Sequence, residues 1–245
     1  MLARLSQALG KPIQALRLHA LYARTDYLAA YARHTDRRVA KDPAEAVSGM
    51  WEEIGSLQFE FLVKQGLQPW HRLLDIGCGT LRGGHRFIRY LDAEQYTGTD
   101  ISAGALEAGC RIVEQQGLTD KRPRLVLTED LKFRDLDKNP FDFVLAQSVF
   151  THLPVEYIDE CFQHLRRVMR DKANFYFTFD ESQQPQQLRF KSFTYPFSFF
   201  AELAARYHFD IHDLSIEYPH PRGQRMAAIS PRQLPATEGQ RRSSQ

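Results

Sequence analysis

Cysteine is scarce in this chain. There are three in 245 residues, Cys78, Cys110 and Cys161. They are far apart, odd in number and in no CxxC or Cys/His spacing, which argues against a disulfide framework or a cysteine-built zinc site. Free thiols in a reducing compartment are expected, and with them a cytoplasmic location. No apolar run reaches the ~18 residues of a membrane-spanning helix. The start, Met1-Leu2-Ala3-Arg4-Leu5, lacks the continuous apolar core of a secretory signal. It carries arginine and no acid before Asp26, which leaves a mitochondrial targeting peptide as a minor alternative. Excess charge is also missing. The formal net charge is +2, too small for a chain that binds nucleic acid by composition. No internal repeat is visible.

What is present suits a globular protein. Hydrophobic residues make up 43% and charged residues 25% of the chain, enough for a sizeable core. Basic residues are concentrated at the start. Arg4, Lys11, Arg17, Arg24, Arg33, Arg37, Arg38 and Lys41 face only Asp26 and Asp36 before residue 42. Leu2, Leu5, Leu9, Ile13 and Leu16 recur at helical spacing, with Pro12 dividing two short helices and Tyr22, Tyr27 and Tyr31 continuing the pattern. Residues 1–50 therefore read as a helical cap with a solvated basic face. A lid over the acceptor, or a peripheral contact with a membrane or partner, is the other reading.

From residue 51 the chain alternates. Asp42-Pro43-Ala44-Glu45 has the form of a helix start. Residues 56–65 read as a helix with Leu57, Phe61 and either Phe59 or Leu62 inward, stopped by Gly66 and Pro69. Strands are expected at 72–76, 95–100, 124–128, 141–146 and 173–179. Helices are expected at 83–91, 102–116 and 155–170, the last with Ile158, Phe162, Leu165 and Met169 on one stripe. Strand–helix alternation argues for a parallel sheet with right-handed crossovers. Residues 181–191, rich in glutamine, read as a surface excursion. A helix at 198–207 and strands at 209–214 and 224–230 follow. Residues 231–245 read as a disordered tail.

Chemistry concentrates in Leu73-Leu74-Asp75-Ile76-Gly77-Cys78-Gly79-Thr80-Leu81-Arg82-Gly83-Gly84. An apolar strand ends in an acid, and a glycine turn leads into a helix. That order presents backbone to a nucleotide-like ligand. A dehydrogenase-type GxGxxG is ruled out by Arg82 at its third glycine. Asp100 ends the next strand, 25 positions after Asp75. A carboxylate there can accept both hydroxyls of a ribose.

Taken with Asp130-Leu131 and the run Phe141–Gln147, this stretch resembles the class I, Rossmann-like methyltransferases that use S-adenosyl-L-methionine. The resemblance spans about 55–230 and implies a doubly wound, mostly parallel seven-stranded sheet closed by a C-terminal antiparallel hairpin. It implies a methyltransferase domain over 51–230, after the helical N-terminal extension and before the tail. The family's loop is GxGxG, and here Leu81 replaces the third glycine. The Leu-Arg-Gly-Gly variant, with Gln147-Ser148-Val149-Phe150-Thr151-His152-Leu153, is similar to a subgroup with diverse small-molecule and saccharide acceptors.

The resemblance assigns cofactor contacts to Asp75, Gly77, Cys78, Gly79, Arg82, Asp100, Ile101, Asp130, Leu131 and Gln147. Asp75 would orient the turn or hold the ammonium end through water, Arg82 the carboxylate, Asp100 the ribose and Ile101 an adenine face. Asp130 would accept the adenine amino proton while the Leu131 N–H meets the ring. Candidate catalytic residues are His152, just past the fourth strand, and Tyr195 and His220 at the acceptor rim. Trp51, Glu52 and Glu53 are further candidates for the acceptor side. No metal is expected. Ala146-Gln147-Ser148-Val149 stands where an Asn-Pro-Pro-Tyr motif would, which argues against DNA-adenine or glutamine methylation. The expected function is methyl transfer to an oxygen or nitrogen of a small molecule or saccharide. The alternatives are a protein or RNA methyltransferase, or an inactive methyltransferase-like binding protein.

Overall fold

The computed structural model describes residues 21–22, 25–43, 49–136 and 139–233. The expected helices around Leu2–Leu16 and the tail from 234 lie outside the described residues.

Helix α1 (Tyr27–Val39) begins at Asp26, whose side chain accepts from the backbone N–H of Leu28 and Ala29 at 3.0 and 3.3 Å. This satisfies donors that a helix start leaves without partners. Helix α2 spans Trp51–Lys64, five residues earlier at its start than the sequence suggested. Its first turn is held from outside: Trp51 stacks on His85, and Glu52 pairs with Arg86. Phe61 and Leu62 are buried as expected, joined by Ile54 and Gln58.

The core unit then alternates: β1 (Leu73–Ile76), α3 (Gly84–Tyr90), β2 (Tyr96–Asp100), α4 (Ala103–Gln115), β3 (Arg124–Leu127), β4 (Phe141–Ala146), α5 (Val155–Leu165) and β5 (Met169–Phe179). Helix α5 stops five residues short of the expected end. Met169 is buried, but in a strand, where it pairs with Phe141. One buried residue at the end of an apolar stripe satisfies either period, so its burial could not separate the two. The hairpin β6 (Gln186–Arg189) and β7 (Ser192–Thr194) follows, with β6 exposed along its length. Helix α6 (Phe197–Arg206), β8 (Phe209–Asp213) and β9 (Arg225–Pro231) complete the order. Pro231 therefore belongs to a strand, and Arg232 pairs with Asp210 at 2.9 Å, so the ordered fold runs past the expected tail boundary.

The seven-stranded sheet has the order β3-β2-β1-β4-β5-β9-β8. Pairs from β3 to β5 are parallel, and β9 and β8 are antiparallel. Strand β1 is wholly buried, as a strand covered on both faces should be. One face packs α5 and α6 through Phe150, Phe162, Phe175, Phe177, Phe179 and Phe200, and the Phe179–Phe200 ring centroids are 4.8 Å apart. The other face packs α2, α3 and α4 through Phe61, Leu62, Phe87, Ile88 and Leu106. β1 is flanked by β2 and β4, so the chain reverses direction of travel across the sheet there. A crevice opens at the carboxyl ends of such strands. Among the described residues no helix is long and apolar enough to cross a membrane.

Candidate functional site

The crevice is walled by the carboxyl ends of β1, β2 and β4, the loop after β1, and one face of α1. Its lining includes Asp75, Gly77, Cys78, Gly79, Arg82, Asp100, Ile101, Asp130, Leu131, Gln147 and His152. Eleven of the thirteen cofactor and catalytic candidates thus share one cavity. Tyr195 and His220 do not line it.

The floor is the loop. Gly77 and Gly79 have φ of +67° and +57°, where glycine carries no penalty. A Cβ on Gly77 would come within 2.6 Å of Val149 Cγ2, so only glycine lets the turn pass under the loop after β4. Leu81, at the position of the missing third glycine, also has positive φ, +65°. The chain keeps the backbone geometry without the glycine and buries the leucine side chain fully.

Two carboxylates mark the strand ends. The Tyr96 hydroxyl donates to Asp75 Oδ2 at 2.7 Å. Burial raises the Asp75 carboxyl to about 7, against the lowering effect of that hydrogen bond. Asp100 accepts from Gly79 N at 2.9 Å and from Ser102 N at 2.9 Å, one on each oxygen. Burial raises its pKa, and these backbone donors oppose the rise. Each oxygen retains a further acceptor site. Arg82 is buried, donates to Gly49 O at 3.2 Å, and is lowered to about 10 by burial.

Two expectations meet different geometry. The Leu131 N–H donates to Glu160 Oε2 at 3.0 Å, so it is already committed and does not face a ligand ring as expected. Asp130 accepts from Lys132 N at 2.9 Å and stays partly exposed beside the Lys132 ammonium.

At the other end, His152 Nδ1 lies 2.6 Å from Lys191 O. A carbonyl only accepts, so Nδ1 carries the proton and Nε2 keeps its lone pair. Burial lowers the imidazole to about 4. Tyr195 is buried, stacks on Phe199 at 4.9 Å, and donates to Leu153 O at 2.6 Å, behind the wall. His220 is buried too, with Nε2 3.3 Å from Gln147 Nε2. The Tyr218 hydroxyl donates to Gln147 Oε1 at 2.6 Å, and Gln147 Nε2 donates to Gln224 Oε1 at 3.1 Å. His220 thus belongs to a network that orients Gln147.

A further wall is α1, from the segment for which a lid over the acceptor is one reading, though none of its lining residues is named from the sequence. Leu28, Tyr31, Thr35 and Arg38 line the cavity at spacings of three, four and three. That stripe mixes apolar, aromatic and charged residues, so its spacing does not by itself mark a cavity wall. Trp51, Glu52 and Glu53 do not line the cavity; Trp51 and Glu52 anchor α2 instead.

Residues 74–175, from β1 into β5, match the family model described as a methyltransferase domain. That part of the chain, on its Rossmann-like sheet, is thus similar to a methyltransferase domain. Among solved structures, it is similar to magnesium protoporphyrin IX methyltransferase (ChlM) from Synechocystis PCC 6803 with bound SAM. The identity is 15%, with 85% of this chain and 99% of that chain covered, at a TM-score of 0.63. A DhpI–SAH complex matches at 14% identity over 84% of this chain and 98% of that one, with a TM-score of 0.62. The cyclase SpnF matches at 17% identity over 72% and 81%, with a TM-score of 0.58. Likeness at these identities establishes the fold, and the reaction must be argued from the site.

Proposed function

We propose that this protein is an S-adenosyl-L-methionine-dependent methyltransferase of the Leu-Arg-Gly-Gly loop subgroup, acting on an oxygen or nitrogen of a small molecule or saccharide. The observation that carries the reading is Asp100. Its two oxygens are each fixed by one backbone N–H at 2.9 Å, and each keeps an acceptor site for one of two vicinal ribose hydroxyls. The donor set fits the cofactor along its length. Asp100 and Ile101 take the nucleoside, with Asp130 near the adenine amino group and Leu131 giving side-chain contact. The Gly77-Cys78-Gly79 turn, Asp75 and Arg82 take the amino-acid tail.

When bound, the cofactor supplies an activated methyl group. The protein's part is to orient the acceptor in line with it, exclude water and receive the acceptor's proton. His152 Nε2 is the proton-accepting atom, held by the Nδ1–H contact to Lys191 O. Gln147 borders the transfer site, and His220 acts through it. Tyr195 sets the Leu153 carbonyl, and so the backbone beside His152. Three free cysteines among the described residues favour a reducing compartment, in keeping with a cytoplasmic site of action.

Calorimetry with S-adenosyl-L-methionine tests the first part. Binding is expected in the wild type and none in Asp100→Ala; no wild-type binding at millimolar cofactor refutes the reading. Labelled methyl transfer to a cell extract, with products separated by size, tests the second. Label on protein or RNA alone would overturn the small-acceptor assignment.

A further inference from the structure

The seven-stranded sheet ends on β8, and among the described residues no strand pairs with its outer edge. The direction of each backbone group there follows from the ladder with β9. Arg232 N donates to His208 O at 2.9 Å, and Leu214 N donates to Met226 O at 2.8 Å. With Asp210 opposite Ser230 and His212 opposite Ala228, the even-numbered residues of β8 are those that bond to β9. Phe209, Ile211 and Asp213 therefore turn N–H and C=O outward.

An open edge is a template for another chain, and proteins guard it with bulges, proline, lysine or other charge. Strand β8 has no bulge in its register with β9, and Phe209-Asp210-Ile211-His212-Asp213 holds no proline or lysine. It does hold charge, and the order of that charge selects a partner. When a second β8 is set antiparallel about Ile211, Ile211 meets the partner's Ile211 and Asp210 meets the partner's His212. Residues directly opposite each other share a face. Acid thus faces imidazole, twice over by symmetry. The neighbouring registers that keep the outward groups paired set Asp210 on the partner's Asp210, or His212 on the partner's His212. Asp210 and His212 are exposed, and the bond from Arg232 to Asp210 uses Oδ1 and leaves Oδ2. On the other face Ile211 is only half-buried, beside a groove lined by Ala201 and Ala205. These short side chains of α6 leave room for the facing subunit.

We propose that two copies of this chain associate by pairing their β8 strands antiparallel about Ile211, so that one sheet runs through both subunits. The outward groups of residues 209, 211 and 213 then make about six backbone hydrogen bonds across the join. The contact is self-complementary about a twofold axis, so association stops at two. Strand β8 lies three strands from β4, away from the crevice. The pairing therefore stands independently of the methyltransferase reading.

Sedimentation of the full chain across the micromolar range tests this. A mass of two chains is expected in the wild type. Ile211→Pro removes an N–H that the ladder with β9 does not use, a place where an edge strand accepts proline. It should match the wild type by circular dichroism and sediment as one chain. Asp210→His sets imidazole on imidazole and should raise the dissociation constant about tenfold, the size of two lost cross-strand pairs. Adding His212→Asp to that variant exchanges the two partners and should restore the affinity. Hydrogen exchange by NMR gives a second reading. The amides of Phe209, Ile211 and Asp213 should be protected at high concentration and exchange faster on dilution. A wild type that sediments as one chain throughout overturns the proposal. So does a dimer that Ile211→Pro leaves intact, since the copies would then meet elsewhere. Protection of the three amides that does not change on dilution would mean that another segment of the same chain covers the edge, and overturns it as well.

Discussion

The Tyr96 hydroxyl reaches Asp75 Oδ2 through space that a side chain at residue 84 would occupy. A Cβ built on Gly84 would lie 2.5 Å from that hydroxyl. The second glycine of Leu-Arg-Gly-Gly is thus tied to the first carboxylate of the site. Tyr96→Phe removes the one side-chain donor that keeps this buried carboxyl from rising further. Asp75 should then be more protonated at neutral pH. Cofactor binding is expected to weaken about tenfold at pH 7, the size of a lost hydrogen bond to a charged group, and to recover as pH rises. Gly84→Ala should show the same pH-dependent loss by displacing the hydroxyl. Calorimetry from pH 6 to 9 measures both.

Asp75 also costs the unliganded fold stability. Its carboxyl is raised to about 7 in the folded chain, so the folded state keeps a proton that the unfolded state releases near 3.8. Stability contributed by this group is present below the lower value and lost as pH climbs through the higher one. Asp75→Asn has no such titration. The variant is expected to gain on the wild type by up to about 4 kcal/mol at pH 8, at ~1.4 kcal/mol per unit, and by much less at pH 5. Denaturant melts of the cofactor-free protein at the two pH values test this. The same variant should bind cofactor poorly.

Leu81 gives a different kind of test. It holds a left-handed backbone at φ +65°, and its side chain is wholly buried. Leu81→Ala opens a cavity and keeps the strain, for a loss of roughly 2–5 kcal/mol. Leu81→Gly opens nearly the same cavity but relieves about 1 kcal/mol of left-handed strain. Glycine should therefore be no worse than alanine here, against the usual ranking. A Cβ on Gly109 would lie 3.0 Å from Leu81 Cγ. Gly109→Ala is thus expected to destabilise the wild type and to be neutral or helpful in the Leu81→Gly background. Equal effects in both backgrounds would show the contact to be unimportant.

The sheet and the crevice around the glycine turn were legible because their signals are local. A strand, a turn requiring positive φ and a helix follow one another within 73–90, and Asp100 closes the next strand. What failed was what depends on distant partners. Leu131 offered a backbone N–H on paper, but Glu160, 29 positions away, takes it. Tyr195 and His220 have reactive side chains in suggestive neighbourhoods, and the packing of α6 and the Gln147 network puts them behind the wall. The α1 wall was hidden for a related reason. Tyr31 and Arg38 line a cavity only because α1 docks across the end of α4, and no periodicity in 27–39 encodes that placement.

His152 should rest as a neutral base across the working range. Its imidazole is lowered to about 4, chiefly by burial. The neutral form therefore prevails above about pH 5. The kcat–pH profile should lack a limb from imidazole protonation between pH 5 and 8. His152→Ala is expected to lower kcat about 100-fold, the lower end for general-base catalysis, with cofactor affinity intact. An unchanged kcat would mean that positioning alone drives the transfer.

Helix α1 is joined to Asp100 through one serine. Asp36 accepts from Ser102 Oγ at 2.6 Å, and the backbone N–H of Ser102 donates to Asp100 at 2.9 Å. Asp36 also accepts from Gly104 N, in the first turn of α4, where a negative charge is favoured. Asp36→Ala removes both contacts, and Ser102 loses the partner that fixes its hydroxyl. Two effects are expected. Cofactor binding should weaken by about three- to tenfold, although residue 36 is not in the cavity wall, since one or two partly buried hydrogen bonds are lost. Backbone amides of α1 should exchange with deuterium faster, because the helix has lost an anchor. In the wild type, bound cofactor should slow the same amides. Arg37→Ala, an exposed neighbour on the same turn, should change neither reading. Hydrogen-exchange mass spectrometry on the three proteins, with and without S-adenosyl-L-homocysteine, tests this. Equal α1 exchange in Asp36→Ala and wild type would show that α1 is held by its other contacts, the buried Leu28 and Val39 and the Tyr27 hydroxyl on His152 O at 2.6 Å.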